Sequence, residues 1–241
     1  MARKPGAGRC VHCLKEVDKR NWDHVFPVSW YPDTTPQNLE KWKIPTCKPC
    51  NDEYGRIEED FGQILSFCVD PRRPESKGVY KRMLRAFDPA YAKNSKDRRI
   101  REAKRQDLLK KMMHGDQIPG QGIYPGLSER WNRNREDQTA LTIPKRYVDR
   151  LGTKIVRGIA YIEDGKLIED EYEIEPYAVP TTGAKVFEET IVKHSHTLSR
   201  GPGIVVDRAV VEDDGISSIY KVTIWGELVI YLSVFPKCID T

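Results

Sequence analysis

No apolar run in this chain approaches the length of a membrane span, so a membrane role is not expected. The opening MARKPGAGRC carries charge but no apolar stretch behind it, so no secretory leader is expected. Without an oxidising compartment, structural disulfides are disfavoured, and a cytoplasmic setting is expected. There is no internal repeat, and no RRM or KH signature that would point to RNA. Cysteine and histidine are scarce, at 6 and 5 of 241 residues, so their clustering carries information. The chain is 39% hydrophobic and 32% charged, which allows one large or two small domains. Its net charge of +4 says little until it is mapped along the chain.

Four of the cysteines fall in two CxxC pairs, Cys10/Cys13 and Cys47/Cys50. Each pair makes a tight knuckle with two sulfurs on one side, and four thiolates suit a closed tetrahedral zinc site. Two disulfides or a redox CxxC are the alternatives. The first needs oxidation and the second a βαβ setting, which is missing here. A structural Zn2+ is the expectation. Cys68 and Cys238 lie in apolar surroundings and read as buried thiols.

Between the pairs stand Asp23-His24-Val25-Phe26-Pro27 and then Asn38, and Asn51 follows the second pair directly. This order resembles the HNH nuclease family, specifically its members with two CxxC pairs around the motif. The resemblance covers about residues 8–68, as an H-N-N variant. It implies a ββα-metal core, hydrolysis of DNA phosphodiester bonds, and catalytic roles for His24, Asp23, Asn38 and Asn51. His24, neutral for much of the population near neutral pH, takes a proton from water. Asp23 and the Asn51 side-chain oxygen are the expected ligands of a catalytic Mg2+ or Mn2+, with Glu53, Tyr54 or Glu58 as an open further ligand. Asn38 is expected to tie the loop and orient His24. In an extended segment Asp23 and His24 point to opposite faces. The rival reading is a non-catalytic zinc module that binds DNA or a protein.

The expected fold class is α+β, in three segments. Residues 1–70 form the zinc-stapled nuclease core, with a flexible basic arm over 1–9. Trp22, Trp30, Tyr31 and Trp42 fill its small interior. Ile57, Phe61, Ile64, Leu65 and Cys68 place a helix over 51–68, with Asn51 as N-cap and Pro71 as its stop.

Residues 71–142 form a basic helical extension and linker. Over 72–111 there are fifteen Lys/Arg against five Asp/Glu. Short helices are expected around 80–87 and 97–113. Arg98, Arg99, Arg101, Lys104 and Arg105 are the expected phosphate contacts, giving affinity rather than sequence choice. Arg130, Trp131, Arg133 and Arg135 lie in a Gly/Pro-punctuated stretch that reads equally as linker or as nucleic-acid surface.

Residues 143–241 form an α+β domain, with a short helix over 144–151 ended by Gly152. A hairpin is expected over 155–162 and 166–179, a helix over 184–194, and strands over 204–211, 217–225 and 228–235. Residues 154–241 carry nine Lys/Arg and fifteen Asp/Glu, so a partner-binding, regulatory or self-associating role, as a homo-oligomer or larger assembly, fits better than DNA contact. His194 and His196 read as surface histidines. Arg200-Gly201-Pro202-Gly203 is only a weak match to a phosphate-cradling turn.

Overall fold

Two small antiparallel ladders open the structure, each made by a segment too short to stand without help from the long helix that follows. The computed structural model describes residues 4–118, 135–177 and 182–237. Strand β1 (Gly8–Arg9) pairs with β2 (Glu16–Val17), and β3 (Asn21–His24) pairs with β4 (Lys43–Thr46). Helix α1 (Lys48–Ser66) starts directly after β4. Its N-cap is Cys47, with Pro49 in the first turn, so Asn51 sits inside the helix and does not cap it. The helix ends at Ser66, before Pro71 is reached. Of the expected basic arm, residues 1–3 lie outside the described residues, and residues 6–9 are held in place. Arg9 makes a two-pronged ion pair with Glu169 at 2.6 and 2.7 Å, and Arg20 donates to the carbonyls of Gly6, Ala7 and Arg9.

Helices α2 (Val79–Phe87) and α3 (Ser95–Lys110) follow, as the periodicity predicts. A minimal ladder joins β5 (Met112–His114) to β6 (Thr139–Leu141). Next comes α4 (Lys145–Asp164), one helix of 20 residues, where the sequence suggests a short helix and a strand. Leu151, Ile155, Val156, Ile159 and Ala160 are all buried, and their spacing is that of one helix face. The β-branched run over 155–162 imitates a strand because both periods bury such residues. Gly152 does not break the helix. A Cβ there would stand 2.4 Å from Leu232 Cδ2, so the glycine lets α4 approach the sheet. The helix ends at Gly165, which takes a left-handed φ of 67°.

The remaining elements are β7 (Tyr172–Tyr177), α5 (Thr182–His194), β8 (His196–Ser199), β9 (Ile204–Val210), β10 (Ser218–Ile224) and β11 (Leu228–Pro236). They form a five-stranded antiparallel sheet in the order β7-β11-β10-β9-β8. Alternate residues face opposite sides. Val206, Val222, Ile230 and Leu232 face α4, whereas Tyr231 faces α5 and donates to Glu188 at 2.5 Å. Arg208, fully buried on the α4 side, binds Asp164 at the end of α4 and the Tyr220 hydroxyl at 3.0 Å.

One continuous apolar core joins Val25, Trp30 and Phe61 near the amino end to Ile155, Ile159, Val222 and Trp225. The β10–β11 turn shows how closely the two ends meet. Trp225 and Gly226 both have positive φ, 55° and 70°, as a type I′ turn requires. A tryptophan rarely adopts that backbone. Its indole N–H donates to the Trp30 carbonyl at 2.6 Å, and the two indoles pack edge to face at 5.8 Å. Trp30 and Trp42 are buried as expected, but Trp22 is 42% exposed. No helix among the described residues is long and apolar enough to cross a membrane.

Candidate functional site

The CxxC knuckles converge. The sulfurs of Cys10, Cys13, Cys47 and Cys50 all lie within 4.8 Å of one another, with Cys13 and Cys47 at 3.8 Å. A tetrahedral ion with metal–sulfur bonds of about 2.3 Å needs sulfurs about 3.8 Å apart, so this donor set fits a metal such as zinc. Local geometry supports it. Leu14 takes a left-handed φ of 62° to close the first knuckle, and its N–H donates to the Cys10 carbonyl at 2.9 Å. The Cys47 N–H donates to the Cys10 sulfur at 3.2 Å. The hydrogen bond between the Cys10 and Cys50 sulfurs lowers the Cys10 pKa and raises that of Cys50. Cys68 is half-buried and apart from this cluster, and Cys238 lies outside the described residues.

Strand β3 splits the Asp-His pair between two faces. Asp23 points inward opposite Ile44, while His24 pairs with Lys43 on the outer face. Asp23 is 7% exposed and fully engaged. His12 Nε2 stands 3.3 Å from its Oδ2, and the Lys154 ammonium lies 3.2 Å from Oδ1 and 3.1 Å from Oδ2. Lys154 comes from α4, is 0% exposed, and also pairs with Glu58 of α1. Burial opposes an ionised Asp23, but His12 and Lys154 together outweigh it and hold the carboxyl below its usual range. Burial raises Glu58 to about 7, with Lys154 only partly offsetting it. Burial also lowers His12, which stays neutral. Glu58 borders a cavity of about 270 Å³ shared with Gln63 and Arg82.

These residues do not fit a divalent ion at Asp23, because both carboxylate oxygens already face an ammonium. Asn51 is half-buried in the first turns of α1, and Asn38 is exposed in the β3–β4 loop. Among the described residues, the cysteine cluster is the group of three or more His, Cys, Asp or Glu side chains placed to share an ion. His194 and His196 are exposed and stand outside it.

His24 is half-buried, and its pKa is lowered by burial first, then by Lys43 across the ladder, with Lys154 and Lys41 adding and Asp23 opposing. Its imidazole is therefore a neutral base at neutral pH.

Helix α3 divides its basic residues into two sets. Asp97, Arg101, Lys104 and Leu108 form the inward stripe, and Ile100 and Leu109 are exposed at 47% and 50%. Arg101 is spent on Asp97 and the Arg85 carbonyl, and Lys104 on Glu59. Arg98, Arg99 and Arg105 face solvent. Arg130, Trp131 and Arg133 lie outside the described residues.

Sequence reasoning missed His12, Lys154 and Lys43. His12 lies between the cysteines of the first CxxC pair, where residue type and spacing single out only the cysteines. Lys154 is legible only once residues 145–164 are one helix, because it then falls on the buried side with Leu151 and Ile155. No family model, curated protein or solved structure matches this chain.

Proposed function

We propose that this chain is a zinc-stapled HNH-type endonuclease that hydrolyses DNA phosphodiester bonds. One observation carries the reading. A four-cysteine cluster pins a β-hairpin to a helix, and the hairpin turns a neutral His24 outward beside Lys43 while its neighbour Asp23 turns in. His24 accepts the proton of the attacking water. Lys43 and Lys41 offer positive charge to the phosphate, and Arg98, Arg99 and Arg105 give sequence-independent contacts along the strand. The Mg2+ or Mn2+ that the family resemblance implies would act as Lewis acid when bound. With Lys154 on Asp23 it has no place there.

That same ammonium favours a second reading, a zinc-stabilised DNA- or protein-binding module without catalysis. The two readings part in one assay. Supercoiled plasmid is incubated with the full chain and with His24→Ala, at matched zinc content, in Mg2+, Mn2+ or EDTA. Nicking by the full chain that falls at least a hundredfold in the variant, a loss typical for a general base, supports the nuclease. No nicking under any condition leaves the binding module.

A further inference from the structure

The loop between β3 and β4 is fixed on two sides and yet leaves three hydrogen-bonding groups unused. On one side the Asp33 N–H donates to the Lys77 carbonyl at 2.9 Å, and the Thr34 hydroxyl donates to the Pro74 carbonyl at 2.6 Å. Arg82 holds Asp33 and the Tyr31 carbonyl. On the other side lies the turn Arg200–Gly203 between β8 and β9. A Cβ on Gly203 would stand 2.5 Å from Pro32 Cδ and 2.7 Å from the Glu75 carbonyl oxygen, so only glycine lets the turn seat. Gly201, at φ +84°, faces Thr35 in the same way.

Inside this frame the Tyr31 hydroxyl, the Trp42 indole N–H and the Thr35 hydroxyl are buried with no partner among the described residues. Tyr31 and Trp42 are only 4% and 3% exposed. Native interiors rarely leave such groups unpaired. Two cations stand over them. The Arg200 guanidinium lies 4.6 Å above the Trp42 ring, and the Lys41 ammonium lies 5.2 Å above the Tyr31 ring. Both side chains are half-exposed and neither pairs with a carboxylate among the described residues. Burial pushes the Tyr31 phenol well above its usual pKa, and the Arg200 charge acts on it from nearby.

Indole N–H, guanidinium and ammonium can only donate, and the two hydroxyls are free to donate as well. A ligand for this set must be nearly all acceptor and negatively charged. We propose that the β3–β4 loop and the Arg200 turn form a phosphate-binding site, with Arg200 and Lys41 supplying charge and Tyr31, Trp42 and Thr35 supplying directed hydrogen bonds. The site takes one phosphate group of a nucleic-acid strand, and that choice of source rests on the nucleic-acid reading above. Lys41 also contributes to the field at His24. The carboxyl-terminal sheet then enters the nucleic-acid surface through Arg200, despite its acidic composition.

The test uses the full chain without added divalent ion, so that binding is read apart from cleavage. A labelled DNA duplex and inorganic phosphate are each titrated against the parent chain, Arg200→Gln, Tyr31→Phe and, as an outside comparator, Arg99→Gln. Tyr31→Phe removes one unpaired oxygen, so it should fold at least as well as the parent. Arg200→Gln is expected to weaken the duplex about tenfold and to reduce the salt slope of log K by about 1. Tyr31→Phe should weaken it about threefold. If the duplex is unaffected but phosphate quenches Trp42 fluorescence in the parent and not in either variant, the site stands and its source is a free phosphate group. If the parent binds no duplex and still shows that phosphate response, the DNA reading fails while the site survives. Parent-like binding of both ligands by both variants would overturn the proposal and leave three hydrated donors.

Discussion

Helix α1 carries two anionic clusters about 12 Å apart along its axis, and they obtain their cation in opposite ways. At its start, Cys47 and Cys50 complete a sulfur cage that fits an ion from solution. Two turns later, Glu58 joins Asp23 around an ammonium that belongs to the chain itself. The first cluster ties residues 34 and 37 positions apart, and its strength depends on metal supply. The second ties residues 131 and 96 positions apart, and holds α4 against the hairpin that carries His24. A close contact reinforces it. A Cβ on Gly158 would stand 2.7 Å from Val25 Cγ2, so α4 packs directly on the side chain of the residue that follows His24. An internal cation also decides what Asp23 can do. While Lys154 is seated, the carboxylate is a structural group and His24 is the chemically available half of the pair.

The comparison breaks most sharply at the cage. Cys50→Ser should abolish stoichiometric zinc and unfold the β1–β4 region, because structural zinc contributes about 10 kcal/mol or more in small domains. Metal analysis together with amide exchange over residues 8–66 reads this directly. Retention of both zinc and protection would remove the structural role.

The ammonium cluster comes next. Lys154→Met leaves two buried carboxyls facing each other and should cost about 3–5 kcal/mol, seen as a lower denaturation midpoint. Adding Glu58→Gln should recover part of the loss. Strict additivity of the two changes would mean that they do not share one network.

The smallest effect is in the pH dependence of stability. Glu58 is raised from its ordinary 4.5 to about 7. Its stabilising contribution is therefore complete below about pH 4.5 and is lost as pH rises to about 7. His24 is lowered from its ordinary 6.5, so its contribution is present above 6.5 and is lost as pH falls. The two oppose each other on the acid side of neutrality. In denaturation measured from about pH 7 to 5.5 with zinc in excess, Glu58→Gln should steepen the loss of stability on acidification, and His24→Gln should flatten it. Equal slopes in all three proteins would show that neither group titrates differently in the folded state.

Much of this was legible from residue types and spacing. The CxxC pairs announce their cage because knuckles are local, and β9, β10 and β11 announce themselves through alternation between turns. The opposite facing of Asp23 and His24 follows from strand geometry alone. What stayed hidden is long-range. The Ile155–Ile162 run fits both periods, and Gly152 looks like a breaker until its neighbour across the interface is known. Lys154 looked like one more charge at the head of an apolar run. Only packing shows that it is buried, and only then does Asp23 appear as its partner. On α3, Arg101 and Lys104 are indistinguishable in sequence from Arg98 and Arg105, but the inward stripe takes the first two out of reach of a strand.

The distance in sequence between Glu58 and Lys154 also has a meaning in time. Chains leave the ribosome at about 5–20 residues per second, so the amino-terminal acids emerge roughly 5–26 s before the lysine that neutralises them. During that interval the cysteine cage can already fill and fold its knuckles, while Asp23 and Glu58 have no partner from α4. The nascent chain thus passes through a stage in which His12 beside Asp23, protons and free cations stand in for that ammonium, and the arrival of α4 closes that stage.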